Sequence, residues 1–237
     1  MRPSLDIVIP VHNEAGFMPG ALQRLLAETA GIDADMTVIL AENGSTDGTG
    51  EVAERIAAAD RRVRVLRLPE PDYGAAMRAG FGAATGTWVV NFDIDYFSAD
   101  FLRAGLALAD SADIVLASKR APGAEDRRGV VRRVGTFGFN LLLRALFRSK
   151  VSDTHGMKLI RRDLVQRLAP AVMSTQDLFD TELVIRAERA GARIAEVPAL
   201  VEELREARSS FLRRVPRTLR GLWRIRRALR AEARSGG

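Results

Sequence analysis

Short apolar runs alternate with helical periodicity through the first half of this chain, and that alternation restricts the fold more than any other feature. Runs at residues 6–10, 36–41, 63–66, 87–92 and 113–117 have strand length and are rich in Val, Ile and Leu. Between them, residues 16–30, 50–59, 74–84 and 99–109 read as helices, with apolar positions three and four apart such as Leu22, Leu25 and Leu26. Buried strands separated by helices build a mostly parallel sheet with helices on both faces, an α/β class. Ligands of such sheets collect beyond the carboxyl ends of the strands. The polar clusters of this sequence lie there.

The second half is less regular. Residues 130–148 predict an amphipathic helix, 178–190 a helix ending at Gly191, and 194–197 a short strand before Pro198. Residues 209–234 are helix-prone, with an interruption expected at Pro216.

The composition narrows the chemistry. At 237 residues, 47% hydrophobic and 28% charged, the chain is expected to bury one substantial core. It has no cysteine and only two histidines, so any metal must rest mainly on carboxylates, which favours Mg2+ or Mn2+. The first residues lack a signal-peptide layout, and no apolar run is long enough to span a bilayer. A cytoplasmic protein, peripheral at the membrane face, is therefore expected.

Charge is unevenly spread. Residues 205–234 hold eleven Arg against Glu206 and Glu232, a net +9 within a formal total of +6, which leaves the first 204 residues near −3. Two parts follow: a catalytic domain over residues 1–204 and a basic amphipathic helical tail over 205–237. Such a tail seeks an anionic partner.

Three strand-end clusters carry the chemistry. Asp93-Ile94-Asp95 sets two carboxylates one residue apart, a spacing that lets a turn aim them at one hard cation; alternatively they cap the next helix. Pro10-Val11-His12-Asn13-Glu14 can line a nucleotide pocket, or Asn13 can cap the helix that follows. Glu42-Asn43-Gly44-Ser45-Thr46-Asp47-Gly48-Thr49 offers an acid to a ribose or base, or is a glycine-rich turn with Asp47 as a cap.

In that order the clusters resemble the P-x-Y-N-E, D-D-G-S-x-D-G-T and D-A-D motifs of the family 2 glycosyltransferases with a GT-A fold, and the match holds over residues 5–120. The stretch from Tyr73 to Gly86, the segment Asp153-Thr154-His155-Gly156-Met157-Lys158-Leu159-Ile160, and Phe179-Asp180-Thr181-Glu182-Leu183 followed by Glu196-Val197-Pro198 resemble the polyprenyl-phosphate branch, the dolichyl-phosphate mannose and glucose synthases.

The resemblance implies an inverting hexosyltransferase that moves mannose or glucose from a nucleotide diphosphate sugar to a polyprenyl phosphate, with GDP-mannose favoured over UDP-glucose. It implies that Pro10, His12, Glu14, Glu42, Gly44, Ser45, Asp93 and Ile94 bind the nucleotide sugar. Asp93 and Asp95 would hold a divalent cation, and Asp180 or Glu182 would be the base if one is needed. Lys119, Lys158, Arg205 and Arg208 would hold the acceptor phosphate, although each is otherwise read as a solvated charge. The sequence departs from the family at Phe97, which stands where a glutamine is usual, at Glu42-Asn43 in place of Asp-Asp, and at Arg208 and Phe211 in place of Gly and Lys.

Leu219, Leu222, Trp223 and Ile225 among the tail arginines suit the interface of an anionic membrane. A soluble glycan or small-molecule acceptor is the alternative reading. A nucleotidyltransferase is disfavoured because residues 11–17 hold one glycine and no lysine, and nucleic acid because aromatic residues make up 6% with no RNA-binding signature.

Overall fold

Ile7, Val8 and Ile9 fall inside a central strand, as their apolar run predicts. The computed structural model describes residues 2–126, 130–176, 178–201 and 211–235. In chain order the elements are β1 (Ser4–Val11), α1 (Met18–Thr29), β2 (Asp35–Asn43), α2 (Thr49–Ala59), β3 (Val63–Leu68), α3 (Tyr73–Ala83), β4 (Trp88–Asn91), α4 (Ala99–Ala107) and β5 (Ile114–Ser118). Then come β6 (Glu125–Asp126), α5 (Val130–Phe147), β7 (Lys158–Arg161), α6 (Arg162–Leu168), α7 (Phe179–Arg189), β8 (Ile194–Pro198), β9 (Leu200–Val201) and α8 (Phe211–Ser235).

Seven strands form one sheet in the order β3-β2-β1-β4-β7-β5-β8. All the pairs are parallel except those of β7, which runs antiparallel between β4 and β5. The side chains of β1 alternate across the sheet. Ile7 and Ile9 pack with Leu22 and Leu25 of α1 and Leu102 of α4, while Val8 packs with Met77 and Phe81 of α3 and Phe179 of α7. Both faces are dry, which is why the strands read as continuous apolar runs. The small residues of α3 serve the same packing: a Cβ on Gly80 would collide with Val8 Cγ1, so only glycine lets this helix lie so close to the sheet.

Sequence periodicity missed β7, whose four residues include a buried lysine. It also placed a break at Pro216 where a single helix runs through. Pro216 lies near the start of α8, so the lost backbone bond falls in the early turns, while the residues that pack come later. Leu222, Ile225 and Leu229 of α8 join Leu143 of α5 and Leu178 and Ile185 in a third apolar cluster. Arg186 of α7 clamps the end of α8 through two bonds to Glu232, at 3.0 and 3.1 Å. Among the described residues, no helix is long and apolar enough to cross a membrane.

Candidate active site

The carboxyl ends of β1, β2, β4 and β5 open onto one side of the sheet, and the loops after β1 and β2 form a single wall there. His12 Nδ1 lies 2.8 Å from the Asn43 carbonyl, which can only accept, so the proton sits on Nδ1 and Nε2 accepts from the Asn13 amide at 3.2 Å. The ring is thereby fixed in orientation. Asn13, at φ +55°, donates its backbone N–H to Ser45 Oγ at 3.0 Å and accepts from the Thr46 N–H through Oδ1 at 2.9 Å. Asn13 thus ties two loops together and does not cap α1.

Glu14 N–H bonds to Thr49 Oγ1 at 2.8 Å, and Ala15 N–H to Asp47 Oδ2 at 3.1 Å. Glu42 is buried, accepting from Ser45 N–H at 2.6 Å with Arg67 Nε at 3.7 Å from its other oxygen, so it shapes the loop from within. Gly44 is required by its φ of +60° and by the backbone of Glu70, which would lie 2.6 Å from an added Cβ. Pro10, His12, Glu14, Gly44 and Ser45 remain half-exposed along this wall.

Beyond β4 the burial alternates. Phe92 and Ile94 point into the core, Asp93 is exposed and Asp95 is half-exposed. Two backbone bonds between Asp93 and Tyr96, at 3.2 and 3.0 Å, hold this turn. Protein crowds Asp93 closely while its carboxylate still meets solvent. Desolvation, then the negative charge of Asp180, pushes its pKa up to about 6; Asp95 adds to the rise, and Lys158 and Lys119 oppose it. The three carboxylates and two ammonium groups therefore share one field.

Asp180 lies at the start of α7 and is held from two sides. The Tyr73 hydroxyl donates to Oδ2 at 3.0 Å, and Lys158 Nζ lies 3.0 Å from Oδ1 as an ion pair off the line of a hydrogen bond, leaving Oδ1 buried and without a hydrogen-bond donor. Lys158 also donates to the Gly156 carbonyl at 2.7 Å and to Asn91 Oδ1 at 3.3 Å. Only 1% of it is exposed, so it is not the solvent-facing phosphate ligand expected from the sequence. Glu182 is likewise no proton acceptor. It is fully buried and saturated by the Met173 and Ser174 N–H groups, the Ser174 hydroxyl and Arg186 Nε.

Lys119, after β5, keeps its ammonium group within 3.5 Å of Asp153 Oδ2 and 3.4 Å of the His155 carbonyl. Next to these residues opens a cavity of about 550 Å3 walled by Phe139 and Leu142 of α5, Leu178, and Val215 and Leu219 of α8. Glu196 is a brace: its Oε1 accepts from Ser152 N–H and Oγ, at 3.0 and 2.7 Å. Arg205 and Arg208 lie outside the described residues.

Sequence reasoning gave no role to Tyr73, Asn91 or Asp153. Their only signal was membership of motifs that also contain Gly74, Asp93 and Lys158.

No group of three His, Cys, Asp or Glu among the described residues is arranged to ligate an ion. That fits a hard cation held by one or two carboxylates, with phosphate and water completing its shell. The concentration of negative charge that raises the Asp93 pKa is what such a cation would relieve.

Residues 6–169 match the family described as Glycosyl transferase family 2. The chain is 32% identical over 207 residues to Glycosyltransferase AglD of Haloferax volcanii, covering 82% of this chain and 32% of that protein, so it spans about a third of this relative's length. Among solved structures, mannosyl-3-phosphoglycerate synthase from Rubrobacter xylanophilus superposes with a TM-score of 0.69 at 21% identity, over 98% of this chain and 75% of that one. Mannosyltransferase PcManGT from Pyrobaculum calidifontis, solved with GDP-Man and Mn2+, gives 0.65 at 22% identity, over 92% of this chain and 61% of that one. At these identities the structural likeness shows the fold, the GT-A arrangement. By its motifs, its sheet and this match over most of its length, the chain belongs to glycosyl transferase family 2.

Proposed function

We propose that this enzyme transfers a hexosyl group, with inversion, from a nucleotide diphosphate sugar to a polyprenyl-phosphate lipid. The observation that carries the acceptor assignment is the cavity between α5 and α8. Its walls are mostly apolar, as a prenyl chain requires, and Lys119, whose charge also reaches Asp93, is among the residues that line it.

The wall of His12, Glu14, Gly44 and Ser45 receives the nucleotide. Asp93 and Asp95 hold Mg2+ or Mn2+, the ion present with GDP-Man in the Pyrobaculum mannosyltransferase. When bound, the ion neutralises the departing diphosphate. Lys119 positions the acceptor phosphate, joined in the proposal by Arg205 and Arg208. That phosphate is anionic near neutral pH, so its oxygen attacks the anomeric carbon without a proton being removed first. Asp180, fixed by Tyr73 and Lys158, faces the reacting centre as a charge and not necessarily as a base. Positioning and charge neutralisation then supply most of the rate.

Residues 1–204 act as the catalytic unit and 205–237 as a basic tail that meets the cytoplasmic face of an anionic membrane. Exposed Leu219 and Trp223 on α8, together with exposed Phe137 and Leu141 on α5, support that contact.

The test is transfer of labelled sugar from GDP-mannose and UDP-glucose, with Mn2+, to a polyprenyl phosphate in detergent and to 3-phosphoglycerate in parallel. Label entering the organic phase supports the lipid acceptor. Label confined to 3-phosphoglycerate would replace it with a soluble one.

A further inference from the structure

Tyr73 opens α3 as a half-buried ring set edge-on to Phe179, with centroids 6.1 Å apart. The residues on either side of it are pinned. Asp72 caps α3 by accepting from Ala75 N–H at 2.8 Å, and its own N–H donates at 2.7 Å to Asn43 Oδ1, on the residue that also holds His12. Gly74 N–H donates to the Thr175 carbonyl at 2.9 Å. The phenol is thus fixed at a junction between the nucleotide wall and the segment that leads into α7.

From there its hydroxyl donates to Asp180 Oδ2 at 3.0 Å. Burial first, then the negative charges of Asp180 and Asp93, push the Tyr73 pKa well above its usual value, so the group stays a donor near neutral pH. On the other side Lys158 Nζ stands 3.0 Å from Oδ1, but its hydrogen bonds go to the Gly156 carbonyl and Asn91 Oδ1. A carboxylate free to rotate would turn onto that ammonium, because an aligned charge-assisted hydrogen bond is stronger than a loose ion pair. The Tyr73 bond opposes the turn. Part of the Asp180 charge is therefore left acting on the acidic turn, and after desolvation it is the strongest influence on Asp93.

We infer that Tyr73 is a positioning residue for sugar transfer: by holding Asp180 off Lys158, it gives the cation site at Asp93 and Asp95 a third negative charge that is not itself a ligand. The inference rests on the cation reading proposed above and does not depend on the identity of the sugar acceptor. It assigns to Tyr73 and Asp180 part of the strength with which Mg2+ or Mn2+, and the nucleotide diphosphate with it, are held.

The full chain is titrated with Mn2+ in the presence of GDP, and separately of UDP, while unbound Mn2+ is counted by its paramagnetic resonance signal. The proteins are wild type, Asp95→Ala, Tyr73→Phe, Asp180→Asn and the double variant of Tyr73 and Asp180, with melting curves to check folding. Tyr73→Phe keeps the ring and its packing. A second measurement needs no change at Asp180. The chain holds only two tyrosines, so 3-fluorotyrosine labelling gives a 19F probe of Tyr73, assigned through Tyr73→Phe and followed as Mg2+ is added with the nucleotide.

Tyr73→Phe should weaken Mn2+ binding several-fold, Asp180→Asn should weaken it at least as much, and loss of the hydroxyl should add nothing once Asp180 is neutral. The Tyr73 19F resonance should move saturably with Mg2+ in wild type and stay still in Asp95→Ala. Mn2+ binding that Asp95→Ala abolishes but Tyr73→Phe leaves unchanged, a further loss of equal size in the Asp180→Asn background, or a 19F resonance indifferent to Mg2+ overturns the role of Tyr73 alone. Mn2+ binding that is absent from wild type, or unaffected by Asp95→Ala, overturns the cation site and this role with it.

Discussion

Lys158 Nζ stands 3.0 Å from Asp180 Oδ1, joining the antiparallel strand β7 to the first turn of α7 beneath the acidic turn. The pair is nearly dry, with side-chain exposures of 1% and 15%, so neither charge is tolerable without the other. Lys158→Met is expected to lower stability by about 3–5 kcal/mol, because it leaves a carboxylate uncompensated next to Asp93. Lys158→Met combined with Asp180→Asn should recover part of that loss. Urea denaturation of the two single variants and the double variant gives the coupling, and additive losses would contradict the pairing.

A second buried cation ties the tail helix to the cleft. Arg186 joins fully buried Glu182 to Glu232, whose side chain is 53% exposed. Arg186→Met should cost about 3–5 kcal/mol, since it strands the Glu182 charge. Glu232→Gln, at a screened surface end, should cost about 1 kcal/mol or less. Chemical denaturation measures both, and a Glu232 effect as large as that of Arg186 would mean that the clamp, not the buried charge, dominates.

Acid should weaken the fold through Asp113. Hydrogen bonds from Arg193 hold its pKa at about 2, below the ordinary 3.8. A depressed carboxylate contributes stability that is present above its unfolded value and is lost as pH falls towards the folded one. Wild type should therefore exceed Asp113→Asn by about 1 kcal/mol after solvent screening at neutral pH, with the gap closing between about pH 4 and pH 2. Unfolding curves across that range check it. A gap independent of pH would assign the effect to packing.

The first half of the fold was readable because its signals are local. Each strand of the β1 to β5 series is an apolar run, and each intervening helix carries its own period. Lys158 shows where locality fails: a lysine inside a strand is acceptable only because Asp180, from a distant segment, arrives to neutralise it. Pro216 marked a break on propensity, but the packing of Leu222, Ile225 and Leu229 lies beyond it and holds one helix together. In the candidate site, the motifs singled out Asp93, Asp95 and Asp180, and the fold brings their charges together. The cavity beside Lys119 was not, since Phe139, Leu178 and Leu219 come from three segments that meet only in the folded chain.

The central claim is that Asp93 and Asp95 hold a cation needed for donor binding. Calorimetric titration of GDP-mannose and UDP-glucose, with and without Mn2+, into wild type and Asp95→Ala tests it most directly. The account expects Mn2+-dependent binding of one donor by wild type, weakened at least about tenfold, or about 1.4 kcal/mol, in Asp95→Ala. Equal affinity in both proteins, or binding indifferent to Mn2+, would contradict it.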